Sequence, residues 1–289
     1  MSSLAIAAPA ASRWDLWRGQ TASILGIELR KNFITKRGFW IYLLAAAPAV
    51  IVWLHTFITL KNPTRTTHEL SKDTEILAFV FQAFFLRPGV FFGCVGIFTY
   101  LFRGEIVERT LHHYFLAPVR REVLLAGKYL AGLITSVFFF CGSISLTFAG
   151  MYGHYSNHEL QAFLIDGEGT RHFAAYVAIT ALACMAYGAL FVWMGIRYKN
   201  PVIPAVVLLF WESFNLFLPS WLKKFSILYY LRSMAPVEPT FRGPGALIGG
   251  VADPASMPVA VVSLLLISAG LLYLAAKDLR TSEISYSSD

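Results

Sequence analysis

The sequence predicts an all-α polytopic membrane protein with six transmembrane helices. Composition is the first sign: 56% of its 289 residues are hydrophobic, only 14% are charged, and mean hydropathy is +0.58. The second is length, because the apolar residues fall into runs of about 18 or more, enough at ~1.5 Å per residue to cross ~30 Å of hydrocarbon with varying tilt. The third is the distribution of the 24 Lys and Arg residues. One set of connections holds six in 13–37, five in 103–128, two in 197–199 and two in 277–280, while the alternate set holds eight. Such a bias puts the richer set, and with it both termini, in the cytoplasm.

The first 37 residues read as a cytoplasmic tail followed by an interfacial helix. Met1–Ser12 has no charge ahead of its short apolar run, so the n-region of a signal peptide is missing. Trp14, Trp17, Ile24, Leu25 and Ile27 are then mixed with Arg13, Arg18, Arg30, Lys31, Lys36 and Arg37. That mixture describes an amphipathic helix at the membrane surface, its long cations reaching toward headgroups. The transmembrane domain covers 38–276. Span one, 38–60, has Trp40 and Tyr42 at its inner edge and Pro48 as a kink point. A polar outer connection leads to span two, 76–102, which Arg87-Pro88-Gly89 interrupts. Span three is 123–151, and the outer loop 152–172 carries Gly, Asn, Asp and three His. Span four, 173–196, ends in the basic turn Arg197–Pro201, and span five is 202–219. Ser220–Ser233 is aromatic and amphipathic, suiting either the outer interface or a segment that re-enters part-way. A Pro- and Gly-rich loop precedes span six, 257–276, and the cytoplasmic tail 277–289.

Arg103–Lys128 is the longest polar interruption on the basic side, with Arg103, Arg109, Arg120, Arg121 and Lys128 among Glu105, Glu108 and Glu122. At its centre Thr110–Leu116 spaces Leu111, Tyr114 and Phe115 at i, i+3, i+4, one face of about two helical turns. Pro118 stops that helix. The spacing serves a docking face for another protein and a connector lying on lipid equally well.

Glu105, Arg109-Thr110-Leu111, Pro118, Arg120 and Lys128, placed just after an apolar span, resemble the signature of type-2 ATP-binding-cassette exporter permeases. There an acidic residue precedes a Thr-Leu pair, then a Pro followed by basic residues, then a Lys opening the next span. Leu29–Tyr42, basic then aromatic, is similar to the family's approach to its first span. One departure is Arg109, where the family often has Gly. The resemblance implies a cytoplasmic coupling helix between spans two and three. Glu105, Arg109, Thr110, Leu111, Tyr114, Phe115, Pro118, Arg120, Arg121 and Lys128 would lie at the contact with a separate ATPase subunit. It further implies a homodimer or heterodimer of permease chains in a bacterial inner membrane, exporting substrate with ATP and Mg on the partner.

Two ionisable residues lie deep in apolar sequence, Arg87 and Glu212, at depths that let them meet. They are either a structural pair locking two spans or part of a substrate path. His154, His158, Glu159, Asp166 and His172 share one outer loop, but Gly residues and the lack of H-E-x-x-H argue for a solvated loop and no metal site. Cys94, Cys141 and Cys184 sit singly in spans, without a C-x-x-C. The net charge of +7 is spread over span flanks with no stacking face, which points to anionic lipid and away from nucleic acid. No P-loop, G-x-S-x-G or dinucleotide fingerprint is present, so the chain has no catalytic residues of its own for ATP hydrolysis. Two rivals to the permease remain on sequence: a membrane enzyme using the outer His/Asp loop, and a non-transporting membrane anchor.

Overall fold

Apolar periodicity resolves entirely into helix in the computed structural model, which describes residues 13–34, 38–61, 69–108, 110, 116, 118–213, 219–238 and 254–281. Helix α1 is Arg13–Ile34 and α2 is Gly38–Lys61, with Pro48 inside it. A continuous helix α3, Leu70–Val107, contains a π-helical stretch at Val80–Val90. Helix α4 is Arg121–Tyr152, α5 is Asn157–Gln161 and α6 is Gly169–Arg197. The short helices α7 (Val202–Ser213), α8 (Ser220–Lys223) and α9 (Ile227–Ser233) follow, and α10 is Met257–Thr281.

Five of these, α2, α3, α4, α6 and α10, are long and apolar enough to cross a membrane. The expected span at 202–219 is represented by α7, 12 residues long. At ~1.5 Å per residue that is about 18 Å, short of a full crossing. Residues 214–218 lie outside the described set, so the described residues establish five long helices and not six. After them the chain folds back. Ile227–Leu231 of α9 are buried, packed on α6, α7, α10 and the π stretch, which places the second half of the aromatic segment inside the bundle, while Trp221 and Phe225 before it are exposed.

Helices α3, α4 and α6 form the centre, with α2 on α4, α10 on α6 and α1 along α4. Because lipid offers no hydrophobic driving force between spans, close fit does the work. Phe81, Phe85, Phe91, Phe98 and Phe102 of α3 are fully buried. Phe98 reaches α6 at Gly188, where a Cβ would come within 2.5 Å of its ring. Buried hydroxyls bond back to the preceding turn, as in Thr99 to the Val95 carbonyl (2.6 Å) and Thr180 to that of Tyr176 (2.7 Å). Others tie helices together. Thr56 of α2 donates to the Gly150 carbonyl of α4 at 2.8 Å, and the Trp53 indole donates to Leu146 at 3.1 Å.

The loop 152–172 is more ordered than the solvated loop expected there. Ser156 and Glu159 form a reciprocal capping box that starts α5, and a π turn at Ala162–Asp166 leads toward α6. The His154 side chain is buried, its Nε2 3.1 Å from Asp73 Oδ2, and Tyr155 donates to the same oxygen at 2.9 Å. Burial and the Asp73 carboxylate push the Tyr155 phenol well above its ordinary range. Among the described residues no group of three or more His, Cys, Asp or Glu is placed to hold a metal ion.

Candidate coupling site

The C-terminal end of α3 and the N-terminal end of α4 meet α1 at a cluster of four charged side chains. Glu28 lies on the face of α1 that also buries Ile24, four residues earlier. Opposite Ile24 stands Gly127, where a Cβ would come within 2.9 Å of the isoleucine side chain. The missing side chain lets α1 approach closely enough for Lys128, the next residue, to reach Glu28. Lys128 Nζ is 2.7 Å from Glu28 Oε1 and 2.8 Å from Glu105 Oε1. Lys31 Nζ adds contacts of 3.1 Å to Glu105 and 3.4 Å to Glu28. Lys128 is 0% exposed, Glu28 3% and Glu105 5%. Two cations and two carboxylates balance, which is what allows their burial. Burial pushes the Glu28 carboxyl up, but Lys128 and then Lys31 outweigh it and hold it below the usual carboxylate range.

Further contacts fix the loop between α3 and α4. Thr110 N–H donates to the Glu105 carbonyl at 2.9 Å, extending the α3 terminus. Pro118 is exposed, and its carbonyl accepts from Gln20 Nε2 of α1 at 3.1 Å. The Arg120 guanidinium stands 4.7 Å from the Trp17 ring centroid. Arg121 Nη1 donates to the carbonyls of Leu279 (2.6 Å) and Arg280 (2.9 Å), closing the last turn of α10. Arg280 and Glu122 form an ion pair beside it. Thus α1 and α10 both clasp this connection. Asn32 of α1 donates to Thr135 Oγ1 at 3.2 Å, about two turns further into α4 than Lys128.

Of the residues expected at a partner contact, Glu105 and Lys128 are thus inside the chain and bear on a partner only through the loop they hold. Arg120, Arg121, Pro118 and Thr110 are at or beside the loop. Arg109, Leu111, Tyr114 and Phe115 lie outside the described residues. Sequence reasoning missed Glu28. Its signal was there, an acid at i−3 to Lys31 and i+4 to an apolar Ile on a helix whose other acid is Asp15 in the first turn.

Arg87 lies within Coulombic reach of Glu212. Glu212 is 2% exposed, and its Oε2 accepts from the Tyr187 hydroxyl at 2.6 Å. Its Oε1 accepts from the Leu228 backbone N–H at 3.3 Å. Arg232, which the sequence placed among outer-loop cations, belongs to the same cluster.

A family model described as ABC-2 family transporter protein matches residues 24–215, which include Glu28, the α3–α4 connection, Arg87 and Glu212. The chain belongs to the ABC-2 transporter family. As an ABC-2 permease it is a membrane subunit that works with an ATPase subunit, and no cofactor site is expected on it. No curated protein matches the permease.

Proposed function

We propose that this permease is the membrane half of an exporter that moves substrate outward, driven by ATP hydrolysed on a separate ATPase chain. In this reading two permease chains pair in a bacterial inner membrane with their termini and the α3–α4 connection in the cytoplasm. Leu111, Tyr114 and Phe115 form the face presented to the ATPase, beside Arg109, Arg120 and Arg121. The observation that carries the reading is the buried Glu28–Lys128–Glu105 cluster. It makes α1 and the inner ends of α3 and α4 one rigid corner, so force applied to the loop passes into both spans instead of bending it. The Arg121 clasp on α10 recruits a third long helix into the same corner.

The test is ATPase co-purification and substrate-stimulated turnover for Tyr114→Ala, Phe115→Ala and His112→Ala, with expression as control. Removing an aromatic anchor costs about 2 kcal/mol, roughly thirtyfold in association, whereas His112 falls outside the i, i+3, i+4 spacing and its loss is expected to be neutral. Aromatic variants that reach the membrane and recruit an active ATPase as well as wild type would refute the docking face.

A further inference from the structure

We propose that a groove between α2 and α4 holds one acyl chain of an anionic phospholipid, whose headgroup is met by Arg30 of α1. The site stands apart from the exporter reading and does not depend on it.

The two helices meet along small residues. Ala45 and Ala49 of α2 are buried, and the Ser143 hydroxyl of α4 donates to the Ala45 carbonyl. Beside this seam lies an open groove of about 730 Å³. Ala46 and Gly142 keep it open, and a Cβ at Gly142 would meet no atom within 4 Å. Large exposed side chains rim it, among them Val50, Trp53, Phe138 and Leu146. The polar side chains along it are already engaged within the chain. The Tyr42 hydroxyl donates to the Phe33 carbonyl at 2.8 Å, the Trp53 indole to that of Leu146 at 3.1 Å, and Ser143 to Ala45. An occupant that fits is therefore apolar along the whole groove.

Length and shape select an acyl chain over another helix. From Tyr42 to Leu54 the groove follows about 18 Å of α2, close to one leaflet of a hydrocarbon core ~30 Å thick. It stops there, although α2 continues to Lys61. A helix from a second copy would use the face at full length. It would also need small residues for close approach, and Ala45 and Ala49 are already spent on α4. The bulky rim holds a second helix off, whereas a flexible chain lies between its side chains.

Charge marks the headgroup end. Phe33 of α1 closes the groove at Tyr42, its ring centroid 5.7 Å from that of Phe138 and 5.1 Å from that of Phe139. Phe139 in turn stands 4.6 Å from the Tyr42 ring. Arg30 is three residues before Phe33, about one turn back on a neighbouring face, and is exposed. The adjacent Lys31 is drawn to Glu28 and Glu105 instead. A long side chain carries its guanidinium to headgroup level, and the planar fork matches a phosphate. A lipid of net negative charge gains from that cation, while a choline headgroup sets its own cation against it.

The experiment titrates the whole permease, in an uncharged detergent, with palmitoyl-oleoyl phosphatidylglycerol and with the phosphatidylcholine of the same chains. Native mass spectrometry reads the first bound lipid and the oligomeric state. The glycerol lipid binds about fivefold tighter, as one arginine at an anionic headgroup allows, and Arg30→Gln abolishes that preference while the choline lipid still binds. Gly142→Leu puts a side chain into the groove and weakens both lipids about tenfold by removing chain contacts. Leucine is the better helix former and its Cβ meets open space, so the fold is kept. Gly96→Leu on α3, equally free of neighbours and outside the groove, leaves binding unchanged. If Gly142→Leu does not elute as a folded species, Ala46→Leu carries the test. Unchanged lipid binding in the folded groove variant would overturn the site, and loss of a dimer in its place would assign the face to a second copy. Equal binding of the two lipids by wild type, or a preference that survives Arg30→Gln, would overturn the headgroup contact.

Discussion

Replacing Lys128 with Met removes the one fully buried cation from the α1–α3–α4 corner. Its two contacts, 2.7 Å and 2.8 Å, are each worth about 6 kcal/mol of Coulomb attraction at an effective dielectric near 20, before desolvation is charged against them. After that offset, removing one partner from a buried ionic group costs about 3–5 kcal/mol, because Glu28 and Glu105 are left facing each other. Lys31 compensates poorly, its side chain being 46% exposed and its contacts longer. The expected order of destabilisation follows. Lys128→Met is worst. Glu28→Gln leaves Lys128 with Glu105 and costs about 2 kcal/mol, and Lys31→Ala costs less than about 1 kcal/mol. At ~2 °C per kcal/mol, the Met variant melts about 6–10 °C below wild type. Thermal unfolding in detergent, followed by tryptophan fluorescence, measures it. ATPase co-purification of the folded variant then reads whether a loosened corner weakens coupling. A Lys31→Ala variant as damaged as Lys128→Met, or a Met variant melting with wild type, would refute the rigid corner.

Three other outcomes are expected. Cysteines placed at Thr67 and Asn157 react with an impermeant thiol reagent outside intact cells while one at His112 does not; labelling at His112 would invert the orientation. Tyr187→Phe deprives the buried Glu212 of its 2.6 Å donor and costs about 1–3 kcal/mol, read as a lower melting temperature; no change would mean the hydroxyl is dispensable. Because the folded Glu28 carboxyl titrates below its ordinary 4.5, its contribution is fully present above 4.5 and is lost as pH falls through the lower folded value. Glu28→Gln therefore flattens the acid limb of the stability profile, and an identical limb in both proteins would assign acid sensitivity elsewhere.

The spans were legible because apolar runs of crossing length have few other uses, and α2, α4, α6 and α10 start within about four residues of the sequence reading. Span two was read from Ile76, yet α3 begins at Leu70, because Ser71–Glu75 looks like loop by polarity. Its Asp73 and Thr74 are in fact buried against Tyr155 and Tyr152. Polarity marks where lipid ends and is indifferent to where a helix ends. The Ser156–Glu159 capping box was printed in the sequence and masked by surrounding Gly and His. Glu105 and Lys128 were read as contacts for a partner and are buried within the chain, because spacing along a chain cannot say which face a side chain turns inward. Glu28 stands 100 residues from its partner Lys128, beyond the reach of any local pattern. Arg232 was assigned to an outer loop because the fold-back of α9 onto Glu212 depends on tertiary packing.

The order of the cluster along the chain has a consequence for how the protein is made. Glu28 and Glu105 are both synthesised before Lys128. Translation at about 5–20 residues per second leaves Glu28 without its lysine for roughly 5–20 s. During that interval α1 has no ionic anchor in α4, and α3 carries a carboxylate at its C-terminal end that faces no buried cation. Emergence of α4 brings a lysine that can enter the apolar bundle only because two acids already wait for it. The expected consequence is an order of assembly: a ribosome stalled before residue 128 leaves α1 undocked from α4, and one stalled well after it leaves α1 docked. Protease protection of α1 in nascent chains of increasing length would show the step.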